Sequence, residues 1–443
     1  MKLTRRALNI ALAGALVSRL AAALGRIPYG GQLSTALPWP LLGLDPHELN
    51  DPVAAFLGAA LFEPLYAHDA RNRLYPTLAL DQPHPSGDKL SVNLREIYWS
   101  TGARISADEV VWSLQRSRRL GGKALLGQFS RFEVTGRTSF AVRGPSPQAL
   151  MRALSSPLCA LIPRAFHPLR PIGCGPFSGR FQAGRLILSR NGYAARGPAF
   201  LERMELRSAR DLGDALRQFE AGECSVGWFG RGLHEPRPNS NLVDAGHAGW
   251  VVLHAGAQLD KWAKPGVVQS LLAAIDAGGL DRFGLRLPPS TAAPAAYGGP
   301  SCELLVRGDA PYLVELANSL AAHLSAPGRT VRVRSLDVGQ LRNEKTQRRF
   351  GFLLDVVRPL GPTPDLHQLS LLSEAGLPYS PPHLPPNVAL EHVPDIVTRS
   401  LSLGVVGSLR LLLGVTPEIN GLQEGSLADA WLTPSHGQQA SQP

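Results

Sequence analysis

Between Glu303 and Leu336 the chain reads as strand, helix, strand. ELLVRG is an apolar run of strand length, and Leu313, Leu316, Ala317 and Leu320 share one face of the helix expected next. Asp309 is the expected cap of that helix, with Pro311 in its first turn. After a Pro327-Gly328 break, RTVRVRSL alternates again. Two strands joined by a helix of this length form a βαβ unit, so the fold must contain parallel sheet with a crossover. RRFGFLLDVV, from Arg348, supplies a further apolar run.

Earlier segments have a different rhythm. Ser106 and Glu109 make an S-x-x-E capping box, with Ile105 and Val110 placed as a hydrophobic staple, which predicts a helix from about Ala107 to Arg118. KLSVNLR, from Lys89, alternates as a half-buried strand, and RFEVTGRTSFAVRG, from Arg131, reads as a hairpin. Asp211 should cap a short helix that runs through Phe219 and stops at Gly222. Pro265 should open a helix reaching Ala277, closed by Gly278-Gly279. Antiparallel strands first and layered α/β later make this an α/β protein.

The chain has 443 residues, enough for two or three domains. Its first 25 residues have a basic start, an apolar run from Ala7 to Val17 and small residues at Ala21-Ala22-Ala23, the pattern of an export signal. Arg5-Arg6 before the apolar run leaves general and twin-arginine export both open. The net charge of +10 is spread over scattered arginines, with no basic run interleaved with aromatics, so nucleic acid is not an expected partner. Leu401 to Val415 is apolar but broken by glycines and Arg410, too interrupted for a membrane span. The cysteines, Cys159, Cys174, Cys224 and Cys302, fit no zinc spacing, and their pairing is not legible.

Catalytic motifs are missing: there is no GxSxG, HExxH or Walker loop. GCGPFSG, from Gly173, departs from the dinucleotide spacing, and Pro176 would break the helix such a loop requires. His367, His383 and His392 share a loop-rich region and read as solvated. No metal or cofactor is expected. Trp39, Trp112, Trp228, Phe229 and Trp250 lie near predicted element ends, where core packing competes with cleft lining. Arg358, at the end of an apolar strand, could clamp an anion at a cleft edge.

A set of short segments then falls in a recognisable order. They are Gly30-Gly31-Gln32-Leu33, Leu44-Asp45-Pro46, LFEPLYAHD from Leu61, Tyr75-Pro76-Thr77-Leu78-Ala79, Leu94-Arg95, YWSTG and SADEVVWSLQR. PIGCGPF, SRNGYAARGPAFLERMELR, ALRQFEAGECSVGWF, PGVVQSLLAAIDAGGL and LADAWLTP follow. This order resembles the family 5 extracellular solute-binding proteins, the oligopeptide, dipeptide and nickel receptors of ABC importers. Departures are Thr101-Gly102 for an aromatic–DG turn, Cys174 for a threonine, and DVVRPLGPTPD, with Arg358, for the segment that carries an amine-binding aspartate in peptide receptors.

The resemblance implies a two-lobed periplasmic-binding-protein-like fold of type II, cluster C, with an additional domain inserted in the first lobe. Carried onto this chain, between the export signal at 1–25 and a tail at 435–443 expected to be disordered from its composition, it implies lobe I at 28–60, 151–252 and 411–434, inserted domain II at 61–150 and lobe III at 253–410. It implies a monomeric periplasmic receptor, not an enzyme, that takes a peptide or small organic ligand and hands it to ABC permease subunits. A degenerate sensor or scaffold without transport is the alternative. Ligand contacts are expected at Trp39, Leu41, Trp228, Phe229, His254 and Arg358.

Overall fold

The computed structural model describes residues 30–69, 71–228, 241–275, 280, 282–377, 384, 385 and 387–415. Its strands are β1 (Gln32–Leu37), β2 (Tyr66–His68), β3 (Leu74–Pro76), β4 (His84–Ser86), β5 (Lys89–Asn93), β6 (Glu133–Gly136), β7 (Ser139–Val142), β8 (Phe177–Gln182) and β9 (Arg185–Arg190). They continue with β10 (Arg203–Ser208), β11 (Val226–Trp228), β12 (Asn241–Ala255), β13 (Leu285–Arg286), β14 (Cys302–Arg307), β15 (Val331–Leu336), β16 (Phe352–Val357) and β17 (Leu403–Val415).

One eleven-stranded sheet runs β15-β14-β16-β12-β17-β11-β1-β10-β9-β8, with β13 paired to β17. The expected βαβ unit is present: β14 and β15 pair in parallel, and the connecting helix Pro311–Leu324 buries Leu313, Leu316, Ala317 and Leu320. Its cap is not Asp309 but Ala310, which makes no side-chain cap bond. Asp309 is engaged instead by the Arg307 fork, whose Nε and Nη2 donate to it at 2.7 and 2.8 Å. A bidentate ion pair outcompetes a single backbone donor.

β12 and β17 belong to both halves of the sheet. The start of β12 pairs with Leu412–Val415 of β17, which also pairs with β11, whereas Trp250–Ala255 pairs with β16. Register shifts between Asp244, His247 and Gly249 bend β12 where it passes from one half to the other. β16 is buried at every position, as a strand covered on both faces must be.

A separate four-stranded sheet, β4-β5-β7-β6, packs against the helix Ala107–Arg119. That helix forms as the capping box predicts. Ser106 Oγ accepts from Glu109 N–H at 3.4 Å, and Glu109 Oε2 accepts from Ser106 N–H at 3.1 Å. Glu109 Oε1 also accepts from Trp99 Nε1 at 3.0 Å, so the YWSTG turn is tied to the helix start.

Three readings need correction or explanation. The helix expected from Pro265 begins at Val267 and ends at Ala273, because Gly266 is left-handed (φ 78°) and excludes Pro265 from the first turn; Ala277 and the Gly278-Gly279 stop lie outside the described residues. His367 is no loop residue: it is buried on the helix Pro364–Glu374 and accepts from Trp250 Nε1 at 3.1 Å. In GCGPFSG the glycines serve close packing, since a Cβ on Gly173 would stand 2.0 Å from the Leu61 carbonyl oxygen. All four cysteines are free thiols. Among the described residues, no helix is long and apolar enough to cross a membrane.

Candidate functional site

The segment Leu44–Asp51 leads into the helix Pro52–Leu61 and forms one wall of a cavity of about 310 Å³. Asp51 fixes this wall. Its Oδ1 caps the helix by accepting from Ala54 N–H at 3.0 Å, and its Oδ2 accepts from Asp45 N–H at 2.9 Å. The far end of the capped helix holds the same wall from behind. Arg116 forks onto Asp45 at 3.0 and 2.5 Å, and its Nη1 also meets His47 Nδ1 at 3.0 Å. His47 Nε2 must then carry the proton, which it donates to the Ala160 carbonyl at 2.8 Å. Burial pushes His47 down to about 4, so it stays neutral. Burial alone would raise the Asp45 carboxyl, but Arg116 and His47 hold it below its ordinary value.

The opposite wall comes from the ends of β14 and β16 and from the helix Val338–Gln347, with Arg307, Arg342, Lys345 and Asp355. Polar contacts join the two walls. Asn50 Nδ2 donates to the Val356 carbonyl at 2.9 Å and to Glu374 Oε2 at 3.0 Å, and Lys345 Nζ reaches Asn50 Oδ1 at 3.3 Å. Arg342 pairs with Glu48 at 3.1 Å. Behind Asn50, Lys345 also holds Asp355 at 2.9 Å and pairs with Glu374. His254 Nε2 completes the group at 2.7 Å from Glu374 Oε1. Burial would raise Glu374, but Lys345 and His254 bring it down to about 2. Burial likewise opposes the Lys345 charge, yet Asp355 and Glu374 raise its pKa.

Beside this polar floor stands an aromatic group. Trp39 stacks on Trp228 at 5.6 Å and 26°, and both meet Tyr312 of the far half, at 5.0 and 5.2 Å, with Phe56 closing the cluster. Trp39 is fully buried and its Nε1–H has no partner among the described residues, an unusual state for a buried donor.

The structure thus brings Trp39 and Trp228 together and buries Leu41 in the same apolar cluster. It places His254 on Glu374, one step behind the cavity. Arg358 lies where the walls meet, 2% exposed, and its Nη1 donates to the carbonyls of Pro46 and Glu48 at 2.9 and 3.1 Å. Phe229 lies outside the described residues. Sequence reading missed Asn50, Glu48, Arg342, Lys345 and Glu374, which are ordinary polar residues until the fold opposes them. Asp51-Pro52, a cap followed by an N1 proline, was the one local signal available. Among the described residues, no group of three or more His, Cys, Asp or Glu side chains is placed to hold a metal ion.

Comparison with known proteins agrees with this geometry. Residues 73–240 match the sequence model of "Bacterial extracellular solute-binding proteins, family 5 Middle". The ABC transporter-associated periplasmic binding protein DppA of Helicobacter pylori, solved with the peptide STSA, superposes with a TM-score of 0.70 at 12% identity, over 91% of this chain and 98% of its own. AgaA of A. tumefacien R10, solved with agropinic acid, gives 0.68 at 15% identity, over 90% and 96%. The chain has the two-lobed fold of the family 5 solute-binding proteins. NikA of Staphylococcus aureus, in complex with Ni(L-His)2, is similar at a TM-score of 0.67 and 14% identity, over 91% and 98%. No curated protein matches the sequence. The two halves of the sheet joined by β12 and β17 each supply one wall of the Asp45–Asp355 cavity.

Proposed function

We propose that this protein is an exported receptor that captures a small organic solute or peptide between its lobes and delivers it to an ABC importer. The observation that carries this reading is the cavity of about 310 Å³, walled by Asp45–Asp51 on one side and Arg307–Asp355 on the other. Walls from separate bodies allow ligand to favour a closed arrangement, through differential contacts in the open and closed states. The fold's neighbours are solved with a peptide, agropinic acid and a nickel–histidine complex. Family 5 proteins bind rather than transform, and the described residues lining the cavity include no nucleophile–base pair. The segment 61–150 then acts as a support, with the Arg116 end of its capped helix stiffening the Asp45 loop. Next to Pro40 of the cavity lining, Trp39 offers a buried donor with no partner among the described residues, and Arg358 sets the mouth rather than gripping ligand directly.

Native mass spectrometry and thermal-shift screening of the purified protein against peptides, opine-like acids and amines test the reading. Saturable stabilisation by one class, weakened by a substitution at Asn50 or Trp39, is expected. Failure of every class to stabilise the protein overturns it.

A further inference from the structure

The sheet ends in a meander whose outer side is unusual. In β8, β9 and β10 the inward residues Phe177, Leu186, Leu188, Met204 and Leu206 are buried, and the alternate positions face outward. Those positions carry Arg180, Arg185, Arg203 and Arg207 around one carboxylate, Glu205. Arg185 and Arg207 stand directly opposite each other in register. Like charges in that relation destabilise a strand pair.

Glu205 offsets only part of this. Its Oε1 takes both Arg185 Nη1 at 2.8 Å and Arg207 Nε at 3.0 Å, while Arg203 stays at 3.9 Å. Arg180 bonds only to Gln182, at 3.2 Å, and has no carboxylate partner among the described residues. The arginines remain open to solvent, with Arg185 and Arg203 side chains 49% and 43% exposed. Protection of the free edge would account for a charge on β8, the terminal strand. It does not account for opposed arginines on the interior pair β9 and β10.

We propose that this face docks on an anionic lipid surface, with the guanidinium forks on phosphate headgroups. Four forks on an extended sheet face suit a plane of phosphates, which arginine binds in bidentate fashion. Each arginine near such a surface contributes attraction that fades with salt. The face lies at the far end of the sheet from β14 and β15, so docking leaves the interlobe cavity free.

The test is co-sedimentation of the full chain with phosphatidylcholine vesicles with and without phosphatidylglycerol, at about 50 and about 500 mM salt. Two variants are run beside it: Arg180→Gln/Arg185→Gln/Arg203→Gln, and the same positions changed to Glu. Thermal melting confirms that each is folded. Because the leader is common to all, the difference between proteins reads the sheet face alone. Salt-sensitive binding that needs phosphatidylglycerol and falls about tenfold or more in the Gln variant supports the proposal. It is overturned by binding to phosphatidylglycerol vesicles that is undiminished in the folded variants, or by binding to immobilised polyglutamate without binding to vesicles.

Discussion

Asn50 and Glu374 join the two sides of the cavity, with Asn50 Nδ2 donating to Glu374 Oε2 at 3.0 Å. The same amide nitrogen also serves the Val356 carbonyl, and its oxygen faces Lys345. One short side chain therefore holds three partners on the opposite side of the cavity.

Replacing Asn50 by Leu should cost about 2–3 kcal/mol, because Glu374 and the Val356 carbonyl lose a buried donor. Urea unfolding reads this loss. Small-angle scattering should also show a larger radius in the variant, since the contacts removed span the lobes. An unchanged midpoint and radius would mean that Asn50 is peripheral to closure.

Lys345→Met should be more damaging, at about 3–5 kcal/mol, since two buried carboxylates lose their shared cation. It should also change acid behaviour. Glu374 is held at about 2, below its ordinary 4.5, so its contribution is complete above that ordinary value and drains as pH falls towards 2. Without Lys345 the Glu374 carboxyl rises, and acid unfolding should begin at higher pH by circular dichroism.

Buried imidazoles set a second window. Burial lowers His47 to about 4 and His367 to about 3, from an ordinary 6.5. The unfolded chain therefore takes up these protons first, and stability should decline as pH falls from 6.5 towards 4 and 3. His367→Gln keeps an acceptor for Trp250 but cannot be protonated. Its stability should fall less over this range, as measured by chemical denaturation at stepped pH.

Arg358→Met should destabilise by about 2–3 kcal/mol through the abandoned Pro46 and Glu48 carbonyls. Hydrogen exchange should rise along Leu44–Asp51. A variant that lost ligand affinity with no change in that segment would instead assign Arg358 to direct ligand contact.

Trp39→Phe removes the unpartnered Nε1–H and keeps an aromatic ring in the stack on Trp228. If ligand takes that donor, calorimetry should show affinity falling by about 1 kcal/mol. Equal affinities would remove Trp39 from the ligand shell.

The sequence revealed elements whose causes are local. The Ser106–Glu109 box, the alternation in β5 and β15, and the βαβ unit each rest on neighbours in the chain, and each is found where expected. Asp309 misled because a cap and an ion pair compete for one carboxylate, and Arg307 lies two residues away. The site was less legible. Asn50 and Glu374 are 324 residues apart, and nothing near either announces the other. The expected positions Trp39 and Trp228 stack on each other and Arg358 holds the Pro46 carbonyl, but the residues that join the two cavity walls acquire their roles only from packing.

β12 and β17 carry one further implication. Since both strands contribute hydrogen bonds to each half of the sheet, neither half can be produced as an intact fragment. A cut through either strand would strip its neighbours of backbone partners and leave raw edges prone to clumping. The two halves of the sheet are therefore inseparable as fragments of the chain.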